Sequence, residues 1–225
     1  MRVLVIVPAY NEELNLDKVV ADIEGHTDYD YVIVDDCSKD GTLKLCKEKG
    51  YNVIHLPVNY GLASGVQIGF KYAMQGDYDV AIQFDGDGQH QACYLSKLVE
   101  AIKDNDIVIG SRFVTEKKPF TSRMIGSRVL TFFIRMVTGK KINDPTSGMR
   151  AFNRSVIKEY ALNMNYPPEP DTLVYMLKKG KKIKEVQVEM SDREFGESYL
   201  NPIRSIKYMC EMIISVVFIQ LFRKR

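Results

Sequence analysis

The sequence predicts an α/β fold built on a doubly wound, mostly parallel sheet of Rossmann-like type. Three observations lead there. Short β-branched runs alternate with amphipathic stretches of crossover-helix length. The runs are continuously apolar, as strands covered on both faces are. Each run also ends in a loop rich in Asp, Asn and Gly.

Val3-Leu-Val-Ile-Val7, Tyr31-Val-Ile-Val34, Asn52-Val-Ile-His-Leu56 and Val80-Ala-Ile-Gln-Phe84 are too short for helices and read as buried parallel strands. Between them, residues 13–24, 41–49 and 61–75 have the length and patterning of crossover helices. A further unit follows, a helix over 92–103 and a strand at Ile107-Val-Ile109. After Gly110 the rhythm changes. A helix-like segment over 122–138 leads to a Gly/Asp/Pro/Ser-rich loop over 139–148 and a short strand over 149–153. A helix near 171–179 and a strand over 183–189 complete the pattern. No linker or internal repeat divides these parts, and 225 residues fit one large α/β domain better than two.

Composition narrows the function classes. With 45% hydrophobic and 27% charged residues the chain can bury a full core, which excludes disordered, collagenous and fibrous proteins. The 31 basic and 29 acidic side chains nearly cancel, so there is no overall electrostatic footprint for nucleic acid. The charge is local: 20 basic against 23 acidic side chains up to residue 175, and 11 against 6 beyond it. Cys37, Cys46, Cys93 and Cys210 are scattered and read as free thiols of a reducing, cytoplasmic compartment. The N-terminal apolar run follows a single basic residue, Arg2, and has no small-residue cleavage site; it reads as a first strand rather than a signal peptide.

The informative residues follow the strands: Pro8-Ala-Tyr-Asn-Glu12, Asp35-Asp-Cys-Ser-Lys-Asp-Gly-Thr42, Asn59-Tyr-Gly-Leu-Ala-Ser-Gly65 and Asp85-Gly-Asp-Gly-Gln-His90. On a parallel sheet all four lie along one carboxyl edge, where open α/β folds bind ligands, and nucleotide binding is expected there. Ser38, Asp40 and Gly41 suit turn and cap duty. Asp85 and Asp87 are different. Two carboxylates on one tight turn offer hard oxygen ligands to Mg²⁺ or Mn²⁺, and Gly86 and Gly88 leave room for a phosphate. The same apolar strand followed by D-x-D-G also opens aspartate-nucleophile phosphatases of the haloacid dehalogenase type, but those carry Thr or Val where Gln89 stands and usually begin the chain with the motif. Gly61, Gly65 and Gly69, every fourth residue, make neither a dinucleotide turn nor a phosphate loop, and Gly69 suits close helix packing.

Taken in order, these segments, with Gly110-Ser-Arg-Phe113, Asp144-Pro-Thr-Ser-Gly-Met-Arg-Ala-Phe152 and residues 193–198, resemble glycosyltransferase family 2 across roughly residues 1–200. The likeness is greatest to the dolichyl-phosphate mannosyltransferase-like branch and its bacterial polysaccharide relatives. The resemblance implies a GT-A fold over 1–200, with a nucleotide-sugar-binding half (1–110) and an acceptor-side half (111–200); residues 201–225 fall outside it and read as a C-terminal amphipathic helix. It implies a metal-dependent, inverting transfer from a nucleotide diphosphate sugar to a lipid-linked (polyprenyl phosphate) or polysaccharide acceptor. A non-catalytic nucleotide-sugar-binding subunit is the competing class.

By the same resemblance Pro8, Ala9, Tyr10, Glu12 and Asp36 hold base and ribose, with Asn59 and Gly65 in the adjoining turn. Asp85, Gly86 and Asp87 meet the donor diphosphate, and Gln89 joins Asp85 and Asp87 as a metal ligand. Arg112 and Arg128 match arginines near the acceptor phosphate and donor diphosphate. Arg193 and Ser198 match a loop that closes over the donor. Attack on the anomeric carbon by a hydroxyl needs a general base, and Glu169 is the first choice with Asp171 second. Asp171 also suits the N-cap of a helix starting at Thr172, with Pro168 and Pro170 holding the approach extended. A phosphate acceptor would need no base. His90 reads as a turn or acceptor contact, and His26 and His55 as structural.

In the tail, Arg204, Lys207, Glu211 and Ser215 form a narrow polar stripe on an otherwise apolar helix over 203–222 that ends Arg223-Lys-Arg225. Its apolar part is too short to cross a bilayer. Three uses stay open: lying in a membrane surface on the cytoplasmic side, packing on a membrane protein or a second copy of the chain, or covering the protein's own core.

Overall fold

The computed structural model describes residues 1–163, 169–192 and 202–219. Its seven strands are β1 (Val3–Ala9), β2 (Asp30–Asp35), β3 (Val53–His55), β4 (Val80–Gln83), β5 (Ile107–Ser111), β6 (Arg150–Asn153) and β7 (Ile183–Gln187), in the order β3-β2-β1-β4-β6-β5-β7. All run parallel except β6, which lies antiparallel between β4 and β5. The helices are α1 (Leu16–His26), α2 (Thr42–Lys49), α3 (Leu62–Gln75), α4 (Leu95–Ile102), α5 (Ser122–Thr138), α6 (Arg154–Leu162), α7 (Pro170–Lys178) and α8 (Pro202–Ile214), the last continuing as a π-helical turn, Ser215–Ile219.

Alternation along β1 explains the three layers. Leu4 and Ile6 face one core with Val66, Phe70, Tyr160 and Leu173, under α3, α6 and α7. Val3, Val5 and Val7 face the other core with Val19, Ile23, Leu95 and Leu98, under α1 and α4. Both faces of β1 are dry, so this strand is apolar without a break. Gly69 lets α3 sit directly on the sheet: a Cβ there would lie 2.2 Å from Ile6 Cγ2.

The sequence pattern misses α6. β6 runs into it with no loop, and Asn153 ends the strand while its side chain accepts from Val156 N–H as the N-cap. At α7 the expected cap is displaced by two residues. Glu169 is the N-cap and Pro170 the first helical residue, where its fixed φ and missing N–H cost nothing, so Asp171 lies inside the first turn. Residue 168 lies outside the described residues.

The C-terminal helix packs on the rest of the chain. Met209 sits over Gly126 of α5, where a Cβ would be 3.1 Å from Met209 Cγ, and Val216 is fully buried in the core with Met212 and Ile213 beside it. The polar stripe therefore does not stay wet along its length. Lys207 and Glu211 are exposed, but Ser215 is buried and bonds to Asp171. Among the described residues no helix is long and apolar enough to cross a membrane.

Candidate active site

The sheet delivers all four loops to one edge. Asp36 N–H donates to Ala9 C=O at 2.9 Å, and the Asp36 carboxylate accepts from Tyr60 and Gly61 N–H, both at 2.7 Å. One buried acid thus fastens the loop after β3 to the ends of β1 and β2. Asp35, fully buried, receives Ser38 N–H at 3.2 Å and His55 Nδ1 at 2.6 Å. Glu12 is buried, accepts from Asn15 Nδ2 at 2.6 Å and gives its N–H to Thr42 Oγ1 at 2.9 Å. Pro8 and Ala9 are buried, Tyr10 and Asn59 are exposed, and Gly65 rests over Pro8 and Val34. The ends of β1 and β2 and the loop after β3 are thus tied together at this edge. Ser38, Asp40 and Gly41 do the turn and cap work the pattern suggests, accepting from Asn11 N–H, accepting from Thr42 N–H and opening α2.

The acidic turn after β4 is held from behind. Asp85 N–H donates to His90 Nδ1 at 2.9 Å, which leaves the ring proton on Nε2, 3.7 Å from Asp85 Oδ2. His90 is buried edge-on against Phe84, so it is a turn lock as its position suggested. Asp87 Oδ1 accepts from Gln89 N–H at 3.1 Å. Gly86 also serves a purpose the pattern does not show: a Cβ would lie 2.9 Å from Pro8 C=O, so its missing side chain lets the turn lie against the end of β1. Gly88 has a φ of +75° and open space where a Cβ would stand.

Among the described residues no three acidic, His or Cys side chains gather as a complete metal cage. Asp85 and Asp87 with the Gln89 amide still fit Mg²⁺ or Mn²⁺. Such ions take one or two carboxylates from the protein and the remaining oxygens from water and substrate phosphates.

Asp85 is also the bridge to the second half of the site. A Cβ on Gly148 would lie 2.1 Å from Asp85 Oδ2, so the loop before β6 lies directly against the acidic turn. The same loop carries Asp144, fully buried, whose carboxylate receives Arg112 Nε at 2.8 Å, Nη2 at 2.9 Å and backbone N–H at 3.2 Å. Glu185 on β7 clamps the loop through Asp144 N–H and Asn143 N–H, both at 2.7 Å. Arg112 is therefore oriented by Asp144 and only partly available to a ligand. Arg128 on α5 donates to the carbonyls of Lys118 and Pro119 at 2.6 and 3.3 Å.

Lys118, which the motifs did not single out, lies with them. Its ammonium donates to Ser127 Oγ at 2.8 Å and Thr131 Oγ1 at 3.4 Å, and both it and the Arg112 guanidinium stand over the Phe113 ring. Burial pushes the Lys118 amine below its ordinary range, and the Arg112 and Arg128 charges push the same way against Asp144 and Glu185. Three cations gathered at the edge of the cleft are a phosphate-seeking arrangement.

Glu169 stands at the N-terminus of α7. Its carboxyl accepts from the Tyr208 hydroxyl of α8. Burial raises its pKa, and the Asp171 and Asp85 charges add to this, while Tyr208 and the buried Arg150 act in the opposite sense. Arg150, opposite Gln83 on β4, is anchored by the carbonyls of Ser147 and Pro145 at 2.8 and 2.7 Å. Its position among these acids was not legible from spacing. Asp171 accepts from Ser215 Oγ at 2.6 Å. Arg193 and Ser198 lie outside the described residues, although Ser191 N–H donates to Gln89 C=O at 2.9 Å and brings that segment's start to the acidic turn.

A mostly parallel sheet with its loops, an acidic turn and a late acid at one edge is of the GT-A kind, and the chain belongs to glycosyl transferase family 2, whose profile matches residues 4–161. It is a glycosyltransferase, which removes the phosphatase and binding-subunit alternatives. Similar proteins include the undecaprenyl-phosphate mannosyltransferase of Micrococcus luteus, 32% identical over 89% of this chain and 88% of that one. The polyprenol monophosphomannose synthase of Mycolicibacterium smegmatis is 30% identical over 89% and 81%. The dolichol-phosphate mannosyltransferase of Pyrococcus furiosus is 35% identical over 93% of this chain and 62% of that one. Among solved structures, glucosyl-3-phosphoglycerate synthase from Mycobacterium tuberculosis, in complex with Mn²⁺, uridine-diphosphate-glucose and phosphoglyceric acid, superposes with a TM-score of 0.72 at 16% identity, covering 99% of this chain and 81% of that one. That likeness establishes the fold.

Proposed function

We propose that this glycosyltransferase moves a sugar, with inversion, from a nucleoside diphosphate sugar to a polyprenyl phosphate at the cytoplasmic face of a membrane. The observation that carries the reading is the bridge at Gly148, which sets the Asp85–Asp87 turn beside the loop that orients Arg112. The leaving diphosphate and an incoming phosphate then have adjoining places. The relatives' names, each a transferase or synthase of a polyprenyl-phosphate sugar, support the same acceptor.

The loops after β1, β2 and β3 hold the nucleoside, and Asp85 and Asp87 face its diphosphate. When bound there, a divalent cation supplies charge neutralisation for the departing diphosphate. Arg112, Lys118 and Arg128 hold the acceptor phosphate. Its oxygen attacks the anomeric carbon from the face opposite the diphosphate; that C–O bond breaks and the nucleoside diphosphate leaves. Glu169 takes the acceptor's proton when the phosphate carries one. A phosphate monoester loses its second proton near pH 6, so this role matters below that and fades above it.

The outer surface supplies a route to the lipid. Ile125, Val129, Phe132 and Met136 recur along one exposed face of α5, and Ile214 and Phe218 are exposed on the helix packed beside it. Phe120 is 92% exposed, and Arg135, Lys140 and Lys141 are exposed nearby in the chain. An apolar face with basic neighbours suits an anionic membrane surface, and it extends beyond the tail to include α5. The Arg223-Lys-Arg225 end lies outside the described residues. A screen of nucleotide sugars for thermal stabilisation with Mn²⁺ tests the donor half. One nucleotide family should raise the melting temperature only when metal is present, and no response to any of them would reject the assignment.

A further inference from the structure

We propose that Tyr208 and Ser215 of the C-terminal helix are positioning residues for the two acids at the head of α7, which makes this helix a working part of the active site. The inference rests on the reading of Glu169 as the proton acceptor. A helix that only covered the core would offer apolar side chains to it, as Met212, Ile213 and Val216 do. Tyr208 and Ser215 break that pattern. They are seven residues apart, about two helical turns, and so share a face. Each places a hydroxyl on a different carboxyl: Tyr208 on Glu169 Oε2, and Ser215 on Asp171 Oδ2 at 2.6 Å.

The environment of Glu169 gives the contact its purpose. Tyr208 of α8 is bonded to it, and Arg150 of β6, Asp171 of α7 and Asp85 after β4 are the charges that act on it. Two of these are acids that repel a carboxylate, and Arg150 is anchored to backbone carbonyls. The Tyr208 hydroxyl sets the plane of the carboxyl group by holding Oε2, and thereby aims Oε1. The helix that carries Tyr208 is seated close to α5 by Met209 on Gly126. Position along the chain hides this: the contacts join residues 39 and 44 apart.

The test is steady-state transfer to a short-chain polyprenyl phosphate at pH 5, where about nine-tenths of the acceptor keeps its second proton, using the full chain. Tyr208→Phe removes the hydroxyl and keeps the ring. It should lower kcat about tenfold, the scale of one hydrogen bond to a charged group, with the KM for nucleotide sugar unchanged. In a Glu169→Gln background the same substitution should cost nothing further, because both act through one carboxyl. Wild-type kcat in Tyr208→Phe, or losses that multiply in the double variant, would overturn the proposal. Wild-type turnover by Glu169→Gln alone would instead remove the underlying reading. Should Tyr208→Phe fail to fold, Ser215→Ala with and without Asp171→Asn poses the same question at the second hydroxyl, and independent losses there overturn it equally.

Discussion

Asp144→Asn is the perturbation that separates the architecture of the acceptor side from its chemistry. Asp144 is fully buried and holds the Arg112 fork through two side-chain bonds and one backbone bond. The amide has the same shape, but it can accept on one oxygen only, and its NH₂ must face a guanidinium that also donates. Breaking one partner of a buried ion pair costs about 3–5 kcal/mol. The Arg112 side chain is 23% exposed, so water recovers part of the loss and about 2–3 kcal/mol remains. For a chain of this size each kcal/mol moves the melting temperature by about 2–4 °C, which gives a fall of about 4–12 °C. A freed Arg112 also no longer points at the acceptor place, so the KM for polyprenyl phosphate should rise while that for nucleotide sugar stays put. Calorimetric melting and two-substrate kinetics read both effects. A melting point within about 1 °C of wild type, together with an unchanged acceptor KM, would show that the loop before β6 does not aim Arg112.

Three further outcomes follow from the same geometry. Asp87→Ala should abolish the Mn²⁺-dependent part of nucleoside diphosphate binding, measured by titration calorimetry, while leaving the melting point nearly unchanged; a persisting metal effect would remove this turn from the metal site. Glu169→Gln should transfer to polyprenyl phosphate almost normally at pH 8 and lose activity progressively below pH 6, where the phosphate regains its proton; a defect equal at both pH values would argue that the carboxyl holds substrate instead. Phe132→Glu combined with Phe218→Glu should reduce co-sedimentation with anionic vesicles, and raised salt should weaken wild-type binding without eliminating it; equal binding by both proteins would leave the α5–α8 face to a protein partner.

The sheet and its loops were legible because their signals are local. A β-branched run names a buried strand, and Asp85 and Asp87 share one turn whatever surrounds them. The loop after β3 was equally plain, although its tie to Asp36 was not. What escaped depends on distance or economy of connection. α6 was missed because no loop announces it after β6. The orientation of β6, its Arg150 and the burial of Lys118 follow from which strands and helices become neighbours, and no spacing in the chain encodes that. Asp171 lost its cap role to Glu169 because Pro170 prefers the first helical position to an extended one. The tail was read by its stripe alone, and Ser215 shows that a polar residue on such a stripe can face inward once an acid waits there.

The identity and configuration of the product decide whether this enzyme glycosylates a lipid phosphate with inversion. Purified full-length protein, incubated with nucleotide sugars, Mn²⁺ and a short-chain polyprenyl phosphate, should yield a glycosyl phospholipid of opposite anomeric configuration to the donor, resolved by mass spectrometry and NMR. Transfer to a hydroxyl acceptor with none to the lipid phosphate, or a product that retains the donor's configuration, would contradict that reading.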